Sequence, residues 1–208
     1  AVAIIIAAVV LMGKRSQSAR NAKINEITAY FKDLENPPKE IPLDGNQVDL
    51  ILEELTTLGA TKEGDRETLL QALNISTSTD GSDIDAKIVA AATADAIDSG
   101  LRLKLFQLLG YRGAEASLGK LIEYASKTDD PEAGKGALRA TRKMVTSENF
   151  ESLLSIITLS PDSSVKNAAV DTLGSVIRES TFPDKFSNAI LINYKNSTAE
   201  DSKLALLR

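Results

Sequence analysis

Three groups of side chains could carry chemistry. The run Ser76-Thr77-Ser78-Thr79-Asp80-Gly81-Ser82-Asp83, with Asp85 just beyond, gathers carboxylates that could hold a cation. A calcium loop of the EF-hand kind needs its glycine at the sixth position and a glutamate at the twelfth, and the spacing around Gly81 supplies neither. The run therefore reads as a solvated, mobile loop between two helices. Gly110-Tyr111-Arg112-Gly113 and Gly134-Lys135-Gly136 offer glycines near cations, yet they fall at a predicted helix end and a helix interior, and neither makes a phosphate-cradling loop. Histidine and cysteine are absent. That removes structural zinc sites, cysteine nucleophiles and every triad that uses imidazole as base. An Asp/Glu acid–base pair stays open among the many carboxylates, but no motif points to one. The expectation is a non-catalytic chain without cofactor or metal.

The third group is basic. Predicted second helices of helical pairs carry Arg102, Lys135, Arg139, Arg142, Lys143 and Lys166. Arg139, Arg142 and Lys143 recur about one helical turn apart and so form a local basic patch in a chain of net charge −5. Such a patch suits an acidic protein surface or anionic lipid headgroups. It also reads as an ordinary solvated helix face. The overall negative charge argues against nucleic acid as the main partner.

The elements that would position these groups are helical. Of the 208 residues 43% are hydrophobic but only 4% aromatic, and there is no tryptophan, a Leu/Ile/Val/Ala core that suits close-packed helices. Residues 1–13 are uncharged and apolar. As a helix they cover roughly 20 Å of the roughly 30 Å hydrocarbon core. That length alone fits a signal-peptide h-region or a buried helix as well. Lys14 and Arg15 follow at once, then Arg20 and Lys23, with no acid before Glu26. The pattern is that of a membrane helix ending among anionic headgroups, so residues 1–13 are expected to be a truncated transmembrane anchor of a single-pass protein. The basic flank leans the remainder toward the cytoplasm. Residues 14–36 then form a juxtamembrane segment and stalk helix. Its stripe Ile24, Ile27, Phe31, Leu34 packs on the chain's own domain or on a partner subunit. Asn36-Pro37-Pro38 ends it, and residues 37–46 are expected to be a linker.

From about Gln47 apolar-periodic helices alternate with short turns. First helices of pairs are predicted near Gln47, Ile84, Ala116, Glu148 and Asp184, and second helices near Asp65, Leu101, Glu132, Ser164 and Ala199, a spacing of 32 to 37 residues. At an offset of 32, Val165, Ala169, Val176 and Ile177 fall on Ala133, Ala137, Met144 and Val145, and Leu153, Leu154 and Ile157 fall on Leu121, Ile122 and Ala125. Leu109, Thr141 and Leu173 also align, Thr141 being the weak member. Asp162 is placed to cap the helix after it, and Lys166 to pair with a neighbouring turn carboxylate.

The stretch from Ser160 through Pro161, Asp162, Val165, Lys166, Ala168 and Ala169 to Leu173-Gly174 resembles the turn and second helix of a HEAT repeat. Asp129-Asp130-Pro131 through Ala137-Leu138 is a looser copy, Leu108-Leu109-Gly110 keeps only the ending, and Gly134 and Gly136 depart from the pattern. The resemblance implies an all-α fold: an α-solenoid of about five helical hairpins over residues 47–208, preceded by the anchor and stalk. It also implies a protein-binding scaffold or an accessory subunit of a membrane complex, with protein partners and, through the N-terminal helix, membrane lipids. Related solenoids, among them HEAT-like enzymes of the bilin-lyase type, fit the looser units. A pilin-like subunit, which also starts on an apolar helix, is disfavoured because its head is β-rich and nothing after Gln47 reads as a sheet.

Overall fold

The computed structural model describes residues 18, 20–29, 31, 38–57, 63–146, 148–160, 162–180 and 184–207. The expected anchor over residues 1–13, with Lys14, Arg15 and Leu34, lies outside them. The chain is mostly helical. Among the described residues no helix is long and apolar enough to cross a membrane. Internal contacts divide the chain into two compact units, Ala1–Ile84 and Asp85–Arg208.

The first unit contains helix α1 (20–29), strand β1 (Ile41–Leu43), helices α2 (Gly45–Thr57) and α3 (Glu63–Asn74), and strand β2 (Ser76–Ser78). β1 and β2 pair in parallel, Ile41 opposite Ser76 and Leu43 opposite Ser78. Parallel strands need a crossover, and α2 and α3 provide it. This corrects two expectations. The 37–46 linker contains β1 and the start of α2, and the Ser76–Asp83 loop begins as β2. Three-residue strands are too short for a period of two to be legible, and the partner of each lies 35 positions away in sequence. Pro42 sits on the exposed side of β1, while Ile41 and Leu43 are buried. α2 opens with a reciprocal cap. The Gln47 amide donates to Asp44 Oδ1 at 2.8 Å and the Asp44 amide to Gln47 Oε1 at 2.9 Å. Ile51, Leu55, Leu69 and Leu73 are fully buried between the helices. α1 lies on its own unit: Ile27 is buried, and Arg20 reaches Glu53 at 2.6 Å and Glu54 at 3.2 Å on α2.

The second unit runs through α4 (Ile84–Ala92), α5 (Ser99–Arg112), a 3-10 turn (Glu115–Ser117), α6 (Leu118–Lys127), α7 (Pro131–Thr141), α8 (Glu151–Leu159), α9 (Ser163–Glu179), α10 (Asp184–Asn196) and α11 (Glu200–Leu206). These helices start within about three residues of the positions expected from periodicity. From α5 onward each helix packs on its next-but-one neighbour, and α6 with α7, α8 with α9 and α10 with α11 also pack as sequence neighbours. α6 meets α7 and α8, α8 meets α9, α10 and α11, and α5, α7, α9 and α11 meet in that order.

Of the residues that superpose at an offset of 32 all but Ile177, which is half-buried, are buried. Leu121, Leu153, Ala133, Val165, Ala137, Ala169, Met144 and Leu109 are all at most 2% exposed. Thr141, the polar intruder, is fully buried, and its hydroxyl donates to the Leu138 carbonyl at 2.7 Å. The Thr172 hydroxyl of α9 donates to that same carbonyl at 3.4 Å, so Thr172 joins α9 to α7 and both buried hydroxyls are met. The glycines that depart from the repeat pattern have a steric reason. A Cβ on Gly134 would stand 3.1 Å from Val165 Cγ2, and one on Gly136 would stand 2.5 Å from Leu103 Cδ2. The helix-propensity loss at α7, about 1 kcal/mol per glycine, is offset by close approach of α5 and α9.

The turns repeat as well. Asp98, Asp130 and Asp162 stand 32 residues apart. Each caps the next helix: Asp98 accepts the Leu101 amide, Asp130 those of Glu132 and Ala133, and Asp162 those of Ser164 and Val165. The Thr128 and Ser160 hydroxyls, again 32 apart, accept the Asp130 and Asp162 amides at 3.2 and 3.3 Å.

Candidate partner-binding face

The cations singled out from the sequence separate into two groups. Arg102 is largely buried. It is only 9% exposed; its Nε donates to the Ala92 carbonyl at 3.2 Å and its Nη2 to the Ala94 carbonyl at 2.7 Å. It thereby meets carbonyls at the C-terminal end of α4, where helix acceptors lack intrahelical donors. Its guanidinium lies 5.6 Å from the centroid of the Tyr124 ring, which packs at a tilt of 56° against Phe106. Lys135 pairs with Glu132 on the first turn of α7. Lys166 is half-buried, and its ammonium donates to the Ser202 hydroxyl at 3.3 Å rather than to the expected turn carboxylate. Ser202 passes the contact on to the Thr158 carbonyl at 3.3 Å, so α8, α9 and α11 are joined there. At the N-terminus, Lys23 is exposed, whereas Arg20 is taken up by Glu53 and Glu54. These two acids, Glu53 foremost, push the Arg20 pKa up.

Arg139, Arg142 and Lys143 are all exposed. α7 ends at Thr141, where the Arg142 amide turns back to the Arg139 carbonyl, so Arg142 and Lys143 stand in the turn beyond the helix rather than on it. Cations are favoured there by the negative end of the helix dipole. The turn aims its two cations differently. Lys143 leans toward α5, its ammonium 6.0 Å from the centroid of the Tyr111 ring, and Tyr111 is 63% exposed. The Gln107 side chain holds the Tyr111 hydroxyl at 2.8 Å. Arg142 instead lines a groove of about 560 Å³ with Asp171, Gly174 and Arg178 of α9, above an apolar floor that includes Leu173 and Ile177. Arg139 and Arg142 have no carboxylate partner among the described residues, and neither has Arg178. Arg112, Lys127 and Lys135, by contrast, are each paired with Asp85, Glu123 and Glu132.

Tyr111, Gln107, Arg178 and Asp171 were not reached by sequence reasoning. The offset of 32 could have found two of them, because Gln107, Arg139 and Asp171 are equivalent positions on successive helices. A second groove, about 780 Å³, runs past Asp95, Arg102, Lys120, Glu123, Lys127, Asp129 and Asp130. Its charges are mixed in sign and select no ligand class.

Elsewhere the acids act structurally. Asp80 accepts from the Gly45 amide at 3.0 Å, the Ser82 amide at 3.0 Å and the Ser78 hydroxyl at 3.2 Å, which pins the turn after β2 to the start of α2. The Gly45 amide above all, with Ser82 and Ser78, holds its carboxyl far below the usual range. Among the described residues no group of three or more side chains could hold a metal ion. Comparison with family models, curated proteins and solved structures finds no match to this chain.

Proposed function

We propose that this chain is a non-catalytic, HEAT-like α-solenoid that holds a protein partner as a membrane-anchored scaffold or accessory subunit. The repeated next-but-one packing from α5 to α11 supports the solenoid reading, as do the Asp98, Asp130 and Asp162 caps at a constant interval. The anchor reading rests on the apolar run of residues 1–13 and the cations directly after it. An anchor raises the effective concentration of the repeats near a membrane partner without adding contacts.

One observation carries the binding reading. In a chain of net charge −5, Arg139, Arg142 and Lys143 are exposed around the C-terminal end of α7, with no carboxylate partner among the described residues. Unpaired like charges held close together cost stability, a cost recovered when an opposite charge arrives. The test compares partners recovered from detergent-solubilised membranes by the wild-type chain and by Arg139→Glu/Arg142→Glu/Lys143→Glu. The triple variant is expected to keep its helical circular-dichroism signal and to lose the partner. Equal recovery by both would refute binding through this face.

A further inference from the structure

We infer that the face formed by α5, α7 and α9 takes an acidic segment of its partner in extended conformation, laid across the three helices. This rests on the scaffold reading above. The turn after α7 joins the face: Lys143 stands over Tyr111 of α5, while Arg142 opens onto the groove that holds Arg178 of α9. The cations are thus arranged across the helices rather than along one of them. Packed helices lie about 8–10 Å apart, and an extended chain sets same-side residues roughly 7 Å apart. Acids along such a segment would meet Lys143 on the α5 side and then Arg142 and Arg178 at the groove. A helical ligand would instead repeat its acidic face along its own axis at about 5–6 Å. Tyr111, exposed and steadied by Gln107, offers an edge rich in positive potential to a carboxylate and a flat surface to its stem. Asp171 is the one acid lining the groove, and it opposes the ligand.

The test uses the full chain in a non-ionic detergent and a fluorescein-labelled peptide of alternating glutamate and alanine, read by anisotropy. The same peptide with glutamine in place of glutamate is the neutral control. The glutamate peptide is expected to bind and the glutamine peptide not. Arg178→Glu should weaken binding roughly tenfold and Tyr111→Ala a few-fold, and Asp171→Asn should tighten it. Lys120→Glu makes the same change of net charge on the exposed side of α6 and should leave binding as it was. Equal weakening by Arg178→Glu and Lys120→Glu would reduce the effect to bulk charge and overturn the inference. Displacement of the peptide by short-chain phosphatidylserine, with that lipid binding more tightly than the peptide, would assign the face to a membrane surface and overturn it too. If the glutamate peptide fails to bind while the triple charge reversal still sheds the native partner, the extended acidic segment is wrong and the scaffold reading stands. If neither responds, both fall.

Discussion

Gly110 faces the backbone of Ala140 so closely that a Cβ on it would stand 3.2 Å from both the Cα and the carbonyl oxygen of Ala140. Gly174 occupies the equivalent position two repeat intervals later, 64 residues on. A Cβ there would meet only the Arg178 guanidinium, at 3.4 Å. The same residue type therefore has opposite consequences. Gly174→Ala should stabilise by about 1 kcal/mol through helix propensity, whereas Gly110→Ala forfeits most of that gain against a backbone that cannot move aside. Gly110→Leu should cost roughly 1–3 kcal/mol by forcing α5 and α7 apart. Chemical denaturation of the three variants checks the order, and equal effects at both positions would show that α5 and α7 do not meet there.

Leu173 is 5% exposed on α9, one turn from Val176 and Ala169 on the same buried stripe. Leu173→Asp should destabilise by more than about 3 kcal/mol, because it replaces a buried apolar side chain by a carboxylate within the apolar stripe. Lys166→Ala removes one hydrogen bond to a hydroxyl and should cost no more than about 1–2 kcal/mol. The comparison of thermal midpoints is decisive, since similar losses would place Leu173 off the buried face.

Two carboxylates link stability to acid. Asp80 and Asp162 both titrate below the usual range, Asp80 chiefly because of the Gly45 amide and Asp162 chiefly because of the Ser164 hydroxyl, followed by the Val165 amide. Their folded pKa values lie below the unfolded value of about 3.9, so the stabilisation is complete above that pH and is lost as pH falls through the folded values. Asp80→Asn and Asp162→Asn should lower the melting midpoint at neutral pH. The gap to the wild type should close progressively below about pH 4. A gap that stays constant down to acid pH would mean that neither charge contributes.

Membrane fractionation tests the anchor. The intact chain should sediment with membranes and need detergent for release, and a chain lacking residues 1–13 should be recovered without detergent and with an unchanged circular-dichroism spectrum. Recovery of the intact chain in a low-salt wash would refute the anchor.

Helix order in the second unit was readable because burial repeats: Val165 and Ala133, or Leu153 and Leu121, occupy equivalent buried positions, and every such pair marks the same helix face. β1 and β2 were not readable, because their pairing is set by a crossover and by Asp80 holding Gly45 across 35 residues, not by any local period. For the binding face, sequence spacing found Arg139, Arg142 and Lys143, but it treated all second-helix cations alike. What separates Arg102 from them is the open end of α4, whose carbonyls draw the guanidinium inward. What adds Tyr111 and Arg178 is adjacency between helices, which no single helix displays.

Site-specific photo-crosslinking in native membranes tests the central claim most directly. A photo-reactive residue replaces Gln107 on α5 or Asp171 on α9, which flank the basic turn, or Ser155, exposed on α8. The account predicts that positions 107 and 171 crosslink to the same protein partner and that both crosslinks vanish when Arg139, Arg142 and Lys143 are reversed to glutamate. It also predicts no crosslink to that partner from position 155. A partner captured from position 155 alone, or captured from 107 and 171 regardless of the charge reversal, would contradict it.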